Sequence, residues 1–306
     1  MRKVSLFGIL AVMVLFVSMA SAGELIVTTG VKGGTYSAFY DQIRGSCPNP
    51  VLSEWMGPKG PASGSIENLK NLLGNKANIG FIQEDVLWSK KIIDSDPAID
   101  GLKTLMVLYP EEIHIIVMTR SSINRFSDLG NKKIATWGGS LITTKVLMGK
   151  TGLRPNTIIE ATGADNAVQL LDSGKVEAII AVGGQPVGWI ENLPNKFKLA
   201  EFDRFQQVND IYSKAVLNYP NLSPAGISSI STMSMIVTRD YKTEAKITDL
   251  SDLVQCVYSH LDDLVETTGN HPKWELVKPD NKSSWPKYDK LKISKPATKA
   301  APKKKN

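Results

Sequence analysis

The sequence predicts an α/β protein whose mostly parallel sheets are doubly wound by helices. Runs of Val, Ile, Leu and Ala that are typical of buried strands alternate with stretches of helical periodicity. This alternation indicates βαβ units, which build parallel sheets. The 306 residues, of which 42% are hydrophobic and 22% charged, fit about two packed domains.

The elements follow one another in regular order. Strands are predicted at residues 24–29, 77–82, 105–108, 113–119, 133–136, 157–160, 178–182 and 233–238. Helices are predicted at residues 37–44, 65–73, 143–150, 164–173 and 250–267. Turns rich in Gly, Ser and Asn separate them, and no internal repeat is visible.

The amino terminus predicts a signal peptide over residues 1–22. Basic Arg2 and Lys3 precede an apolar stretch at residues 4–17, and Ala20-Ser21-Ala22 has the small-residue form of a cleavage site. A retained membrane anchor is the alternative, but the apolar stretch is shorter than the roughly 20 residues that a spanning helix requires. We therefore expect an exported, soluble mature chain that begins near Gly23.

The formal charge of +6 is unevenly distributed along the chain. Residues 278–306 hold ten Lys and two Asp, and Arg2 and Lys3 add two further positive charges. The remaining body is mildly acidic, so we expect no nucleic-acid partner. The Lys/Ala/Pro tail, residues 291–306, is predicted to be disordered because it has little to bury, although contact with anionic lipid is an alternative.

Two cysteines occur, Cys47 and Cys256. An even pair in an exported protein favours a disulfide over two free buried thiols. Cys47 follows the first long predicted helix and Cys256 lies in the last one, so the architecture given below places both in one lobe.

A series of short motifs occurs in a fixed order along the chain. In order, they are Thr29-Gly30, Gly33-Gly34-Thr35-Tyr36, Gly64-Ser65-Ile66-Glu67-Asn68-Leu69, residues 77–86, Leu108-Tyr109-Pro110-Glu111, residues 128–135, Gly138-Gly139-Ser140, residues 171–178 and Val182-Gly183-Gly184-Gln185-Pro186. Each motif is weak alone, but their order over about 160 residues is specific and resembles the TAXI family of TRAP-transporter solute receptors. The family's Gly-Ser-Gly-Thr run is replaced here by Gly139-Ser140-Leu141-Ile142-Thr143-Thr144.

The resemblance implies a type II periplasmic-binding-protein fold, with two doubly wound lobes joined by crossing hinge strands. Lobe I would comprise residues 23–116 and 235–290, and lobe II residues 117–234, with crossovers near residues 117–121 and 231–237. It also implies a monomeric periplasmic receptor without a cofactor or metal. Such a receptor delivers a small organic anion, an amino acid or a carboxylate such as a glutamate-like ligand, to TRAP-type membrane permease subunits.

The candidate ligand site follows independently from the position of polar loops. In doubly wound sheets, ligands bind outside the carboxyl ends of strands, where helix starts offer unpaired N–H donors to anions. The candidate ligand-binding residues in these loops are Gly34, Thr35, Tyr36, Ser65, Gln83, Tyr109, Ser140, Thr143, Thr144, Gly184 and Gln185. Ordinary turns and helix caps are the alternative for the Gly, Ser and Thr positions.

Other polar residues near these loops have competing interpretations. Asn68 follows Ser65 at the spacing of a capping box. Asp85 is expected to cap a helix, or else to bind an ammonium group. Glu111 either lines the cleft or holds the hinge, and Trp137 either forms a wall of the pocket or packs between elements.

No catalytic motif is present in the sequence. It lacks a Gly-x-Ser-x-Gly elbow, a phosphate-binding loop and the paired-Cys or His-Glu-x-x-His patterns of zinc sites. His114, His260 and His271 are far apart, and His114 alternates with apolar residues as a structural strand histidine does. We therefore predict a binding protein and not an enzyme. A receptor for an ABC transporter or a sensor is the main alternative, followed by an exported enzyme on the same fold.

Overall fold

The computed structural model describes residues 23–223 and 225–294. The predicted signal peptide and most of the Lys-rich tail, residues 295–306, lie outside the described residues. Within the described part, no helix has the length and apolar character needed to cross a membrane.

Strands and helices alternate along the chain as predicted. The strands are β1 (Glu24–Thr28), β2 (Val51–Glu54), β3 (Met56–Gly57), β4 (Gly60–Pro61), β5 (Ile79–Gln83), β6 (Leu102–Met118), β7 (Lys133–Thr136), β8 (Thr157–Glu160), β9 (Ala178–Gly183), β10 (Phe197–Ala200), β11 (Ser213–Leu217) and β12 (Ile227–Arg239). The α-helices are α1 (Thr35–Ser46), α2 (Ser65–Leu73), α3 (Glu84–Ile92), α4 (Gly138–Thr151), α5 (Ala164–Asp172), α6 (Gly188–Glu191), α7 (Glu244–Ser259) and α8 (Leu261–Glu266). Short 3₁₀ turns include Pro97–Gly101, Phe126–Leu129 and Pro272–Leu276.

The two longest strands, β6 and β12, connect two groups of parallel strands. The sheet order is β2-β1-β5-β12-β6-β9-β7-β8, with β10 also paired to β6 and β11 also paired to β12. β1, β2 and β5 are parallel to one another, and so are β7, β8 and β9. β6 and β12 run antiparallel to each other through both groups.

The pairing partners of these long strands change near their middle. The second half of β12 pairs with β5, whereas its first half pairs with β11. On β6, residues 112–116 pair with β9, and the register with β12 shifts between Met233 and Met235. We propose that the lobe boundary lies near residues 110–112 and 231–234, several residues before the predicted first crossover at 117–121.

Each group of strands carries apolar side chains on both faces. Ile115 and Ile116 are adjacent in β6 and enter two different clusters, because successive side chains of a strand point to opposite faces. In the amino-terminal group, Phe39, Leu253 and Trp274 cover one face, and Leu72 and Leu87 cover the other. Both groups of strands are therefore covered by apolar side chains on their two faces.

The carboxyl-terminal part of the chain returns to the first group of strands. A disulfide joins Cys47, directly after α1, to Cys256 in α7, with 5.8 Å between the Cα atoms. Residues 291–294 are not free of the body, contrary to the predicted start of the tail. The Lys292 and Ser294 N–H groups donate to side chains of α7.

Two predicted elements differ from the structure in how the chain is divided. The strands expected at 105–108 and 113–119 form one strand, β6, because the intervening Pro110 lies beside the irregular register of β12, where a missing N–H donor is tolerated. The helix expected at 250–267 breaks at His260 into α7 and α8. There the imidazole Nδ1 lies 2.9 Å from the Cys256 carbonyl oxygen.

Candidate functional site

A cavity of about 630 Å³ lies between the two groups of strands. It lies at the carboxyl ends of β1, β5, β7, β8 and β9, as expected for a doubly wound sheet. Its walls come from the loops that lead into α1, α2, α4, α5 and α6. Both groups of strands therefore contribute to one cavity.

The helix starts around this cavity lack side-chain caps. Gly34, Gly64, Trp137 and Gly163 are the N-cap residues of α1, α2, α4 and α5, and no side-chain hydrogen bond caps any of these four helices. Unpaired N–H groups and the helix dipole attract negative charge at such starts. Gly64 has φ of +117°, which side-chain-bearing residues rarely adopt. The cavity thus concentrates neutral donors for an anion.

A buried polar network forms the floor on the side of α1 and α2. The Tyr36 hydroxyl donates to Glu111 Oε2 at 2.7 Å and lies 3.4 Å from Ser65 Oγ. Ser65 Oγ donates to Gln83 Oε1 at 3.2 Å and accepts from the Gln83 N–H at 3.1 Å. The Gln83 amide NH₂ has no acceptor among the described residues, so it is available to a ligand.

Glu111 is an acid on the wall of a cavity otherwise suited to anions. Burial raises its pKa to about 8, while the hydrogen bond from Tyr36 acts in the opposite direction. Among its charged neighbours, Asp85 and Glu112 raise this pKa further and Lys273 lowers it. Glu112 is itself paired with buried Lys273, whereas Glu111 has no basic partner among the described residues. At neutral pH the Glu111 carboxyl is therefore mainly protonated and does not repel an anion.

The opposite wall is formed by Ser140 and two tryptophans. Ser140 Oγ accepts the Val182 N–H at 2.9 Å, and this leaves the hydroxyl proton free to be donated. Trp137 and Trp189 are half-buried, and their ring centroids are 5.7 Å apart. The wall therefore combines one hydroxyl donor with a broad apolar surface.

The backbone at Gly139 brings the two walls together. A Cβ atom at Gly139 would lie 1.8 Å from Gln83 Oε1 and 3.1 Å from Ser65 Cβ. Thr35 Oγ1 also donates across the cleft to the Gly184 carbonyl at 3.3 Å. The start of α4 thus approaches the opposite lobe closely because it lacks a side chain there.

Residues 27–286 match the family model described as the NMT1-like family. This match spans most of the chain. The chain belongs to the NMT1-like family.

Solved structures of similar fold are distant from this NMT1-like protein in sequence. A putative L-cystine ABC transporter from Listeria monocytogenes is 16% identical, with a TM-score of 0.51 and coverage of 79% of this chain and 91% of that chain. An arginine third transport system periplasmic binding protein from Legionella pneumophila is 12% identical, with a TM-score of 0.50 and coverage of 79% and 95%. The GluR0 ligand-binding core complexed with L-glutamate is 14% identical, with a TM-score of 0.50 and coverage of 79% and 95%. At these identities the likeness establishes the type II periplasmic-binding-protein fold.

Six of the predicted ligand-binding residues line the cavity of the NMT1-like protein. They are Gly34, Thr35, Tyr36, Ser65, Gln83 and Ser140. They come from four separate segments, which the sheet order brings together.

Of the three hydroxyl residues predicted to bind a ligand near the start of α4, only Ser140 lines the cavity. Thr143 Oγ1 donates to Asp85 Oδ2 at 2.6 Å, and Thr144 Oγ1 donates to the Ser140 carbonyl at 2.7 Å within its own helix. Neither side chain reaches the cavity. The helix begins at Gly138, five residues before its predicted start, and so Thr143 and Thr144 lie in its second turn.

Three further predicted residues lie behind the cavity wall. Tyr109 is fully buried against Phe39, with ring centroids 4.4 Å apart. The side-chain amide of Gln185 is hydrogen-bonded to the end of β11. It donates to the Val216 carbonyl and accepts from the Asn218 N–H. Gly184 is adjacent to the wall, where its carbonyl receives the Thr35 hydroxyl.

Asn68 and Asp85 have roles that the sequence interpretation missed. Asn68 makes no capping box; its amide donates to the carbonyls of Thr29 and Phe81 and fastens α2 to β1 and β5. Asp85 neither caps a helix nor faces the cavity. Its Oδ2 accepts from Thr143 and from Tyr212, 2.8 Å away, and burial raises its pKa to about 6.

The site also includes residues that carry only a weak signal in the sequence. The loop of residues 162–166, between β8 and α5, lines the cavity with Trp189 of α6. The loop could have been anticipated, because it follows the carboxyl end of the predicted strand at 157–160. Trp189 carried no distinguishing signal, because α6 is only four residues long.

Histidine and cysteine chemistry lies away from this cavity. His114 is fully buried, its Nε2 lies 3.0 Å from the Tyr219 hydroxyl, and burial lowers its pKa to about 3. Among the described residues, Cys47, Cys256 and His260 form a group with metal-ligand spacing. The two sulfurs of that group are bonded to each other, so they are not available as thiolate ligands.

Proposed function

We propose that this NMT1-like protein is an exported receptor that binds a small organic anion in the cleft and presents it to a TRAP-type membrane permease. The observation that carries the proposal is the convergence of four helix starts without side-chain caps on one cavity. Their donors are neutral, and burial keeps nearby Glu111 mainly protonated. A site of this kind favours an anion without a basic side chain in its floor.

The arrangement also supports capture by closure. Donors on α1 and α2 belong to one lobe, and those on α4 and α5 belong to the other. A ligand that accepts from both groups favours the state in which they lie close together. Each charge-assisted hydrogen bond contributes about 1.5–3 kcal/mol when it is well made.

The partner is inferred from the ordered motifs that resemble TAXI receptors and from the predicted signal peptide. An ABC-type partner is the alternative, since two similar folds belong to proteins described as an ABC transporter and a periplasmic transport-system protein. These two partners are energised differently. Uptake into proteoliposomes that contain the permease encoded beside this gene separates them: dependence on an ion gradient supports TRAP transport, and dependence on ATP contradicts it.

Ligand capture itself is tested with the mature chain, beginning at Gly23. Native mass spectrometry of freshly purified protein is expected to detect a bound small organic anion, and adding that anion back to stripped protein should raise the melting temperature. Protein unfolded and refolded without ligand provides the control. The proposal fails if no anion co-purifies and a panel of amino acids and carboxylates leaves the melting temperature unchanged.

A further inference from the structure

The two sides of the cavity differ in chemistry. The starts of α1, α2 and α4 present N–H and hydroxyl donors, whereas Trp137 and Trp189 present half-buried indole rings. Val187 adds apolar surface beside Trp189. An apolar surface within a polar cleft gains most from a ligand that also has an apolar part.

The charges on the wall provide no strong attraction for a second anionic group. Lys32 is the only basic side chain on the cavity wall among the described residues, and it is exposed. The exposed acid Asp165 also lines the cavity and offsets that single positive charge, whereas the Glu111 carboxyl is mainly protonated. A second carboxylate that faced the tryptophans would lie against an indole ring, where its lost hydration is not replaced.

We propose, building on the function proposed above, that the ligand carries a single anionic group and an apolar body and is not a dicarboxylate. Its single anionic group accepts from the helix starts, and its apolar body packs against Trp137 and Trp189. The anion would thus be selected by the shape and polarity of its body as well as by its charge.

Two ligand pairs of matched shape test the proposal by isothermal titration calorimetry. L-Leucine and L-aspartate have side chains of the same shape that end in two methyl groups or in a carboxylate, and α-ketoisocaproate and freshly prepared oxaloacetate repeat this comparison without the ammonium group. In at least one pair, the apolar member is expected to bind ten-fold tighter or more. Equal or tighter binding of both dicarboxylates overturns the proposal, and so does failure of both apolar members to bind.

Variants of Trp189 test whether the indole wall is the cause. Trp189→Ala is expected to reduce the preference for the apolar member by about ten-fold, whereas Trp189→Phe should retain most of it. Trp285→Ala removes a half-buried tryptophan outside the cavity wall and should leave the preference unchanged. An unchanged preference in folded Trp189→Ala and Trp137→Ala proteins overturns the assignment of the wall.

These outcomes are distinct from failure of the proposed function. A dicarboxylate found by native mass spectrometry, bound with high affinity, would overturn the proposal of a single anionic group and leave the receptor function intact. Absence of any bound anion would remove the function on which the proposal rests.

Discussion

Ser140 shows how one hydroxyl can serve both the fold and a ligand. Its oxygen accepts from the Val182 N–H, while its proton remains available on the cavity wall. The Thr144 hydroxyl, one turn later, donates its hydrogen bond to the Ser140 carbonyl oxygen. Two hydroxyl side chains one turn apart therefore have different roles, and only Ser140 is placed to bind a ligand.

Ser140→Ala is expected to weaken binding of the co-purified anion by about ten-fold, equivalent to about 1.4 kcal/mol. Thr144→Val is the matched control and should retain affinity, because its side chain does not reach the cavity. Ser140→Ala also leaves the Val182 N–H without its acceptor, so affinity is measured on protein shown to be folded by circular dichroism. Equal affinities of the two variants would contradict this role of Ser140.

Glu111 should make stability depend on pH. Its pKa rises from an ordinary 4.5 to about 8 in the folded protein, because the carboxyl is buried. The folded state then binds the proton more tightly than the unfolded chain does. The contribution of Glu111 to the free energy of unfolding is therefore complete below pH 4.5 and is lost as the pH rises through about 8. Glu111→Gln should remove this loss. As the pH rises, the free energy of unfolding of the wild type, measured in urea at several pH values, should therefore fall relative to that of the variant. A difference that does not vary with pH would contradict the assignment.

At the scale of elements, the accuracy of prediction follows from how clearly the local sequence pattern marks each element. β7 and β8 have the predicted bounds, as does α2, because apolar periodicity and Gly-rich turns define them. β11 was missed because its side chains are mostly exposed and lack a strand pattern. The early start of α4 was missed because Gly138 and Gly139 have low helix propensity, which the neighbouring lobe overrides.

The contact between α3 and α4 depends on Asp85, which accepts hydrogen bonds from Thr143 and Tyr212. Thr143→Val preserves shape but removes one donor from this buried carboxylate, and should lower the free energy of unfolding by about 1–3 kcal/mol. Thr144→Val, equally buried but bonded within its own helix, should cost less. Urea denaturation measures both, and an equal loss in the two variants would show that the contact to Asp85 adds nothing.

At the scale of the molecule, the sequence predicts the fold and the region of the site better than the individual ligand contacts. The doubly wound pattern placed the cleft at the carboxyl ends of strands, and Tyr36, Ser65 and Gln83 do meet there. Whether a hydroxyl faces the cleft depends on helix phase and on partners distant in sequence. The acceptor of Thr143 is 58 residues away, and no local pattern reveals it.

Closure of the whole molecule should depend on the missing side chain at Gly139. Alanine there would place Cβ against the buried Gln83 amide and Ser65, so the lobes could not reach the approach seen here. Gly149, in the same helix, has no heavy atom within 4 Å of an added Cβ. Alanine at Gly149 therefore provides a control for helix propensity without a new contact across the cleft.

Gly139→Ala is accordingly expected to bind the anion at least ten-fold more weakly and to show no ligand-induced contraction in small-angle scattering. Wild type and Gly149→Ala should both contract when ligand is added, because the ligand links donors on the two lobes and closure follows from binding. If Gly139→Ala contracts and binds like the control, the close backbone approach is not required for capture. If wild type itself does not contract, the two-lobed clamp is wrong, since a ligand that interacts equally with the open and closed states cannot shift the population between them.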